Sequence, residues 1–357
     1  MQRAKPKPKP LNPTNTSTEA DAWLWAAYYK NNGFGDFARS LARGLSGLCD
    51  IAIQSDPRFY PELKRLGFWD RVRPETVVGG PAVQINAVNV VRPKRADVSA
   101  VYTMWECDRL LRSWVAAMNG HDFVIVPNQS NLDHFSNQLS IPVVKVPLGI
   151  DFDAYAPRGR ENDGVFRFGT AGHLGHGATR KGLSRVVGWF LDAFPARVKD
   201  VRLSLKLNEG FNRIDTFRDQ RIEIVHANLS KVELVQWHSS LDVYADGSTY
   251  EGWGMFPCNS MAVGRPVIGV PWGGHLEYFL PGNHIPVGYK IEPADDLYRK
   301  TKGSWPIPDH SDGVEAMRWC YDNQSRVREM GERAATSVEH LTWERCAKGV
   351  IAELDNL

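Results

Sequence analysis

Between Tyr244 and Val270 the chain reads YADGSTYEGWGMFPCNSMAVGRPVIGV, and this segment restricts the fold more than any other. The apolar run Leu241–Tyr244 ends in a turn that carries an acid, Glu251, among glycines. An apolar, helix-compatible stretch follows from Phe256 to Val263, then Gly264-Arg265-Pro266 and the β-branched run Val267–Val270. The order is strand, loop, helix, turn, strand, which is the repeating unit of a parallel α/β sheet. Such sheets bind ligands at the carboxyl ends of their strands, and a helix N-terminus there favours an anion.

The same alternation runs through the chain. The patterns predict strands at Ala22–Tyr29, Cys49–Gln54, Thr76–Val78, Val83–Val90, Val98–Met104, Phe123–Pro127 and Val143–Val146. A helix is expected from Asp36 after the glycine loop Asn31–Gly35, and others at Leu110–Asn119 and Asn131–Leu139. Periodicity stops between Val146 and Pro157, where Pro147, Gly149 and Pro157 precede the polar stretch Arg158–Gly164. A second series follows, with strands at Phe166–Thr170, Arg202–Lys206, Arg221–Val225, Val243–Ala245 and Pro266–Val270. Its helices fall at Leu183–Phe194, Lys231–Ser239, Phe256–Val263 and Gly313–Arg345, the second opened by a capping box, Ser230 with Glu233.

A chain of 357 residues is too long for one core. The expected division is a basic, proline-rich arm over 1–20, a doubly wound α/β domain over 21–150, a linker over 151–164 and a second such domain over 165–339. The net charge of +2 excludes a strong global attraction to nucleic acid or anionic membrane. The short basic runs Lys5–Lys9, Arg71–Arg73 and Arg92–Arg95 read as solvated surface. The five cysteines are scattered and lack CxxC spacing, which argues against a disulfide framework or zinc site and suits a reducing compartment. No apolar run approaches the roughly 18 residues needed to span a bilayer, and the N-terminus lacks the hydrophobic core of a secretory signal. The cytoplasm is the expected location. Asp151 and Asp153 have a spacing that elsewhere holds a divalent cation, but following Pro147–Ile150 at the linker they read as turn chemistry. There is no phosphate-loop GxxxxGK[ST] and no nucleophile elbow, so ATPase and hydrolase classes fall away.

The Tyr244–Val270 segment also resembles the donor-sugar motif of the retaining, GT-B-type glycosyltransferases of family 4. Their pattern is Glu-Gly-hydrophobic-Gly, a second Glu eight residues after the first, then Gly-x-Pro-Val-Ile. This chain matches it except at the second acid, where Asn259 stands. PNQSNLDHFSNQLSIPVVKVPLGIDFDAYAP, from Pro127, resembles the end of that family's first domain and its linker. FRFGTAGHLGHGATRKGLSRVVGWFLDAF, from Phe166, resembles the opening of its second domain, and LTWERCAKGVIAEL, from Leu341, the helix that crosses back to the first. The four segments occur in the family's order, and the match is weakest between Pro57 and Asp97. The resemblance implies two Rossmann-like doubly wound domains facing a central cleft, with a terminal helix near 340–357 rejoining the first. It also implies transfer of a sugar, with retention, from a nucleotide-diphosphate donor to a glycan, lipid or small-molecule hydroxyl, without metal or cofactor.

Carried over residue by residue, the resemblance makes Glu251 the acceptor of hydrogen bonds from donor-sugar hydroxyls. Gly252, Trp253, Gly254 and Met255 would allow close backbone approach beside it. Arg180 and Lys181, before Gly182, would neutralise the diphosphate from a helix N-terminus; on residues alone they are equally a pair of surface cations. His173, where many relatives carry arginine, reads as a weaker phosphate donor or a plain loop histidine. Gly33, Phe34 and Gly35 resemble a glycine loop whose amides approach the donor, and a tight turn explains them equally. Gly274 and His275 would offer amides to phosphate or sugar, and Lys206, His226 and Asn228 stand where the nucleobase rests. Trp105 and Glu106 are candidate acceptor contacts, or packing plus a solvated acid. Asn259 replaces a carboxylate that would grip both ribose hydroxyls; an amide offers one acceptor and one donor, at a cost of about 1–2 kcal/mol in affinity. Two alternatives stay open: transfer to a modified base in DNA, and a non-catalytic nucleotide- or sugar-binding module.

Overall fold

The structure, a computed structural model, describes residues 22–26, 33–55, 60–65, 67, 69–72, 81–92, 96–160, 163–172, 178–207, 219–226 and 228–356. The proline-rich arm, the predicted strand Thr76–Val78 and His173 lie outside them.

Two parallel sheets organise the chain. In the first half, β1 (Ala22–Ala26), α1 (Gly33–Ser46), β2 (Ile51–Gln54), α2 (Tyr60–Arg65), β3 (Pro81–Ile85), β4 (Val98–Tyr102), α3 (Arg112–Met118), β5 (Phe123–Val126), α4 (Gln129–Ser136) and β6 (Val143–Lys145) succeed one another. Their six strands lie side by side in the order β2-β1-β3-β4-β5-β6. In the second half come β7 (Phe166–Gly172), α5 (Ala178–Lys181), α6 (Leu183–Ala193), β8 (Val201–Leu207), β9 (Ile222–His226), α7 (Lys231–Ser240), β10 (Val243–Ala245), α8 (Met255–Ala262), β11 (Val267–Gly269) and β12 (Ile285–Pro286). These strands form a second six-stranded sheet, β9-β8-β7-β10-β11-β12. A hairpin, β13 (Tyr289–Pro293) and β14 (Ser304–Pro308), then leads to α9 (His310–Asp322), α10 (Gln324–Val338) and α11 (Trp343–Asp355).

Strand burial follows from this layering. Helices cover parallel sheets on both faces, so the strands carry apolar runs rather than alternation; every residue of β2, β5, β10 and β11 is buried. Phe37, Ala38, Leu41, Ala42 and Leu45 make one buried stripe of α1, and Leu183, Val186, Val187 and Phe190 do the same on α6. The last helix packs on the first sheet's side. Trp343 stacks on Phe37 at 6.1 Å, Cys346 Sγ lies 3.7 Å from the Tyr102 hydroxyl, and a Cβ on Gly44 would meet the Trp343 carbonyl oxygen at 2.7 Å.

Several elements differ from the sequence expectation. Helix α1 begins at Gly33, so Gly33, Phe34 and Gly35 form its first turn rather than a loop before it. The predicted strand Val83–Val90 ends at Ile85, and Val88–Val90 forms a short 3-10 turn. The single helix expected over Gly313–Arg345 is three: Asn323 leaves helical geometry at φ −123°, and Thr342 starts α11 as an N-cap, its hydroxyl accepting from Arg345 N at 3.1 Å. The β13–β14 hairpin was not expected.

Candidate active site

In the second sheet the strand order reverses between β7 and β10, the crevice in which open α/β sheets bind ligands. Both strands feed it. After β7 the chain returns as α5 with Arg180 and Lys181; after β10 it runs from Asp246 to Gly254, carrying Glu251.

These residues meet. Glu251 Oε1 accepts from Arg180 Nη1 at 3.0 Å and from Lys181 Nζ at 2.7 Å, and Oε2 accepts from Lys181 Nζ at 2.9 Å. Arg180 Nη1 also donates to the Tyr250 carbonyl at 2.7 Å. From the first half, Glu106 Oε1 stands 3.7 Å from Arg180 Nη2. Glu251 and Arg180 are only 6% and 8% exposed, so the cluster is shielded and its charges act strongly. Burial raises the carboxyl pKa, but Lys181 and then Arg180 outweigh it and hold Glu251 below the ordinary glutamate range. A carboxylate so held is an acceptor, not a proton carrier near neutrality.

Glycines make the close approaches. Gly254 caps α8 at φ 84°, a conformation that disfavours a side chain, and a Cβ there would stand 2.5 Å from the Tyr278 hydroxyl. Gly254 has no side chain to cap α8, and Pro257 brings no N–H, which leaves Met255 and Phe256 as the N–H groups among its first three residues. A Cβ on Gly33, at the first turn of α1, would come within 3.7 Å of Met255 Sδ, which brings the two helix N-termini together.

His275 lies behind this loop, 3% exposed. Its Nδ1 bonds the Val270 carbonyl at 2.9 Å, and Nε2 stands 3.0 Å from Asp246 Oδ2, an ion-pair contact without hydrogen-bond alignment. Burial lowers the imidazole pKa, but Asp246 and the Val270 carbonyl outweigh it and raise the value.

Some expected site residues take other roles. The Gly274 amide donates to Glu251 O at 2.8 Å and the His275 amide to Trp272 O at 3.2 Å, so neither is directed at a ligand. Trp105 is core: its indole N–H donates to Arg109 O at 2.8 Å and its ring meets Trp114 edge-on at 4.8 Å. The Trp253 ring is also buried, edge-on to Tyr278. Lys206 is nearly buried on β8, between Ala171 and Val225, with Nζ 6.0 Å from the centre of the Phe256 ring; burial lowers its pKa. Asn259, on α8, is half-buried. His226 ends β9 and Asn228 is exposed just beyond it. Sequence reasoning missed Asn128 and Asn131, which close on the same loop from the first half. Asp151 pairs with Lys231 at 2.6 Å, and among the described residues no group of three His, Cys, Asp or Glu could hold a metal ion.

No family model matches the chain, and no curated protein matches it by sequence. Solved structures do resemble it. Anabaena HepE, in complex with UDP and glucose, superposes with a TM-score of 0.68 at 12% identity over 94% of this chain and 100% of that one. Sucrose-phosphate synthase from Thermosynechococcus elongatus gives 0.66 at 13% identity, covering 94% and 98%. WaaG, a glycosyltransferase involved in lipopolysaccharide biosynthesis, gives 0.63 at 12% identity, covering 93% and 99%. With its two parallel sheets, the chain has the GT-B fold. No helix among the described residues is long and apolar enough to cross a membrane.

Proposed function

We propose that this protein is a retaining glycosyltransferase that moves a hexose from a UDP-sugar to an acceptor hydroxyl. The observation that carries the reading is the buried Glu251 gripped by Arg180 and Lys181 at the switch point of the second sheet. UDP is the nucleotide chosen because HepE was solved with it. In this reading residues 165–339 form the donor domain, 21–150 with 340–357 form the acceptor domain, and 151–164 link them.

The donor diphosphate takes up Lys181 and Arg180 together with the amides that open α8, so charge developing on the leaving phosphate meets groups already in place. Glu251, released from part of its ion pairing, accepts from the sugar hydroxyls. We assign it no role as nucleophile. The acceptor oxygen forms its bond to the anomeric carbon on the face the diphosphate leaves. The bond from that carbon to the phosphate oxygen breaks, and the acceptor proton passes to that oxygen. No step is assigned to a metal, and chelator is expected to leave the rate unchanged.

The test is sugar transfer from a panel of UDP-, GDP- and ADP-hexoses to pooled hydroxyl acceptors, including glycans and modified DNA, with product anomers assigned by NMR. Transfer that retains configuration and disappears in Glu251→Ala supports the assignment. Donor binding without turnover across the panel would replace it with a binding module.

A further inference from the structure

We propose that Asn128 is a positioning residue for Glu251, and that the N-terminus of α4 is the joint through which the first half of the chain sets the donor site. This rests on the glycosyltransferase reading above.

Asn128 belongs to the first sheet's side, yet its fully buried amide serves both halves. Its Oδ1 accepts from Asn131 N at 2.8 Å and so caps α4, while its Nδ2 donates to the carbonyl of Gly252, next to Glu251. Asn131, also fully buried, clamps Trp105 through N→Oδ1 at 3.0 Å and Nδ2→O at 2.8 Å, and reaches the Tyr250 hydroxyl at 3.4 Å. Both chain neighbours of Glu251 are therefore tied to α4. The first residue of the helix is held in turn: Glu277 Oε1 accepts from Gln129 N at 2.7 Å, and Lys145 Nζ lies 3.3 and 3.2 Å from the two Glu277 oxygens. Glu277 ends the 3-10 turn Gly273–Glu277, whose Gly274 amide bonds Glu251 O.

Glu251 is thus held from both halves, its carboxylate by cations of the second and its two chain neighbours by side-chain amides of the first. A cap alone would not require asparagine, since aspartate or serine supplies the capping oxygen equally well. The amide N–H is what reaches Gly252. Aspartate at this position would set an anion against the Gly252 carbonyl, and serine would leave that carbonyl without its donor.

Asn128→Asp and Asn128→Ser separate the two roles. Hydrogen–deuterium exchange should quicken by roughly tenfold across residues 246–256 in both variants, the equivalent of one lost hydrogen bond. Protection over α4 should stay at the wild-type level, whereas Asn128→Ala should lose it as well. Turnover should fall by a similar factor with little change in donor KM, because Arg180 and Lys181 still hold the phosphates. Wild-type exchange over 246–256 in both variants would overturn the proposal, whether or not the protein proves to be a transferase. Faster exchange with unchanged turnover would also overturn it. A wild type without transferase activity would count against the functional reading, while the exchange result would still decide the role of Asn128.

Discussion

Glu251 has enough partners that its chemistry can be predicted from its surroundings. Glu251→Gln keeps the shape but sets a neutral amide against two cations, so turnover should drop by at least about a hundredfold, a loss of roughly 3 kcal/mol in transition-state stabilisation. UDP itself should bind this variant no more weakly, because Lys181 and Arg180 are freed for phosphate. The folded protein holds the Glu251 pKa below its ordinary 4.5, so the stability it contributes is complete above that value and fades as pH falls through the folded pKa. The gap in unfolding free energy between wild type and Glu251→Gln, followed by urea titration, should therefore narrow below about pH 4.5. His275 runs the opposite way. Its pKa is raised above 6.5, so its contribution is complete below that value and is lost as pH rises through the folded pKa. A pH-independent gap in either variant series would contradict these assignments.

At the scale of elements, glycines bring the Glu251 loop and the 3-10 turn behind it into contact. A Cβ on Gly274 would lie 2.4 Å from Trp253 Cα and 2.6 Å from its carbonyl, backbone atoms that cannot move aside cheaply. Gly274→Ala should cost about 1–3 kcal/mol in urea unfolding and weaken UDP-sugar binding with it; native stability would show that the loops are less closely packed. Much of this was legible in the sequence. Glu251, Arg180 and Lys181 fall where strand gives way to helix, and the apolar strand runs marked nearly every sheet position. The hairpin was not legible, because Pro293, Pro306 and Pro308 break the strand pattern and Trp305 is buried against residues of the first half. The three C-terminal helices read as one because apolar spacing continues across Asn323 and Thr342. Asn128 was not legible, because its bond to Gly252 spans 124 residues and leaves no local mark.

For the whole molecule, the last helix completes the core of the first half. Cys346, Ala347 and Val350 are buried in one cluster with Phe37, Leu41 and Tyr102, and Ile150 bridges to Thr342. A chain ending at Leu341 should lose cooperative unfolding, since that cluster would face water; a soluble truncation with a sharp urea transition would contradict this. Calorimetric titration probes the cluster of Glu251, Arg180 and Lys181 itself. UDP-glucose and UDP should be titrated into wild type, Lys181→Ala and Glu251→Gln, each with and without chelator. Wild type should bind both ligands regardless of chelator, Lys181→Ala should bind both at least about tenfold more weakly, and Glu251→Gln should keep UDP but lose the added affinity for the sugar. Absence of binding in wild type, or full affinity in Lys181→Ala, would contradict the proposed function.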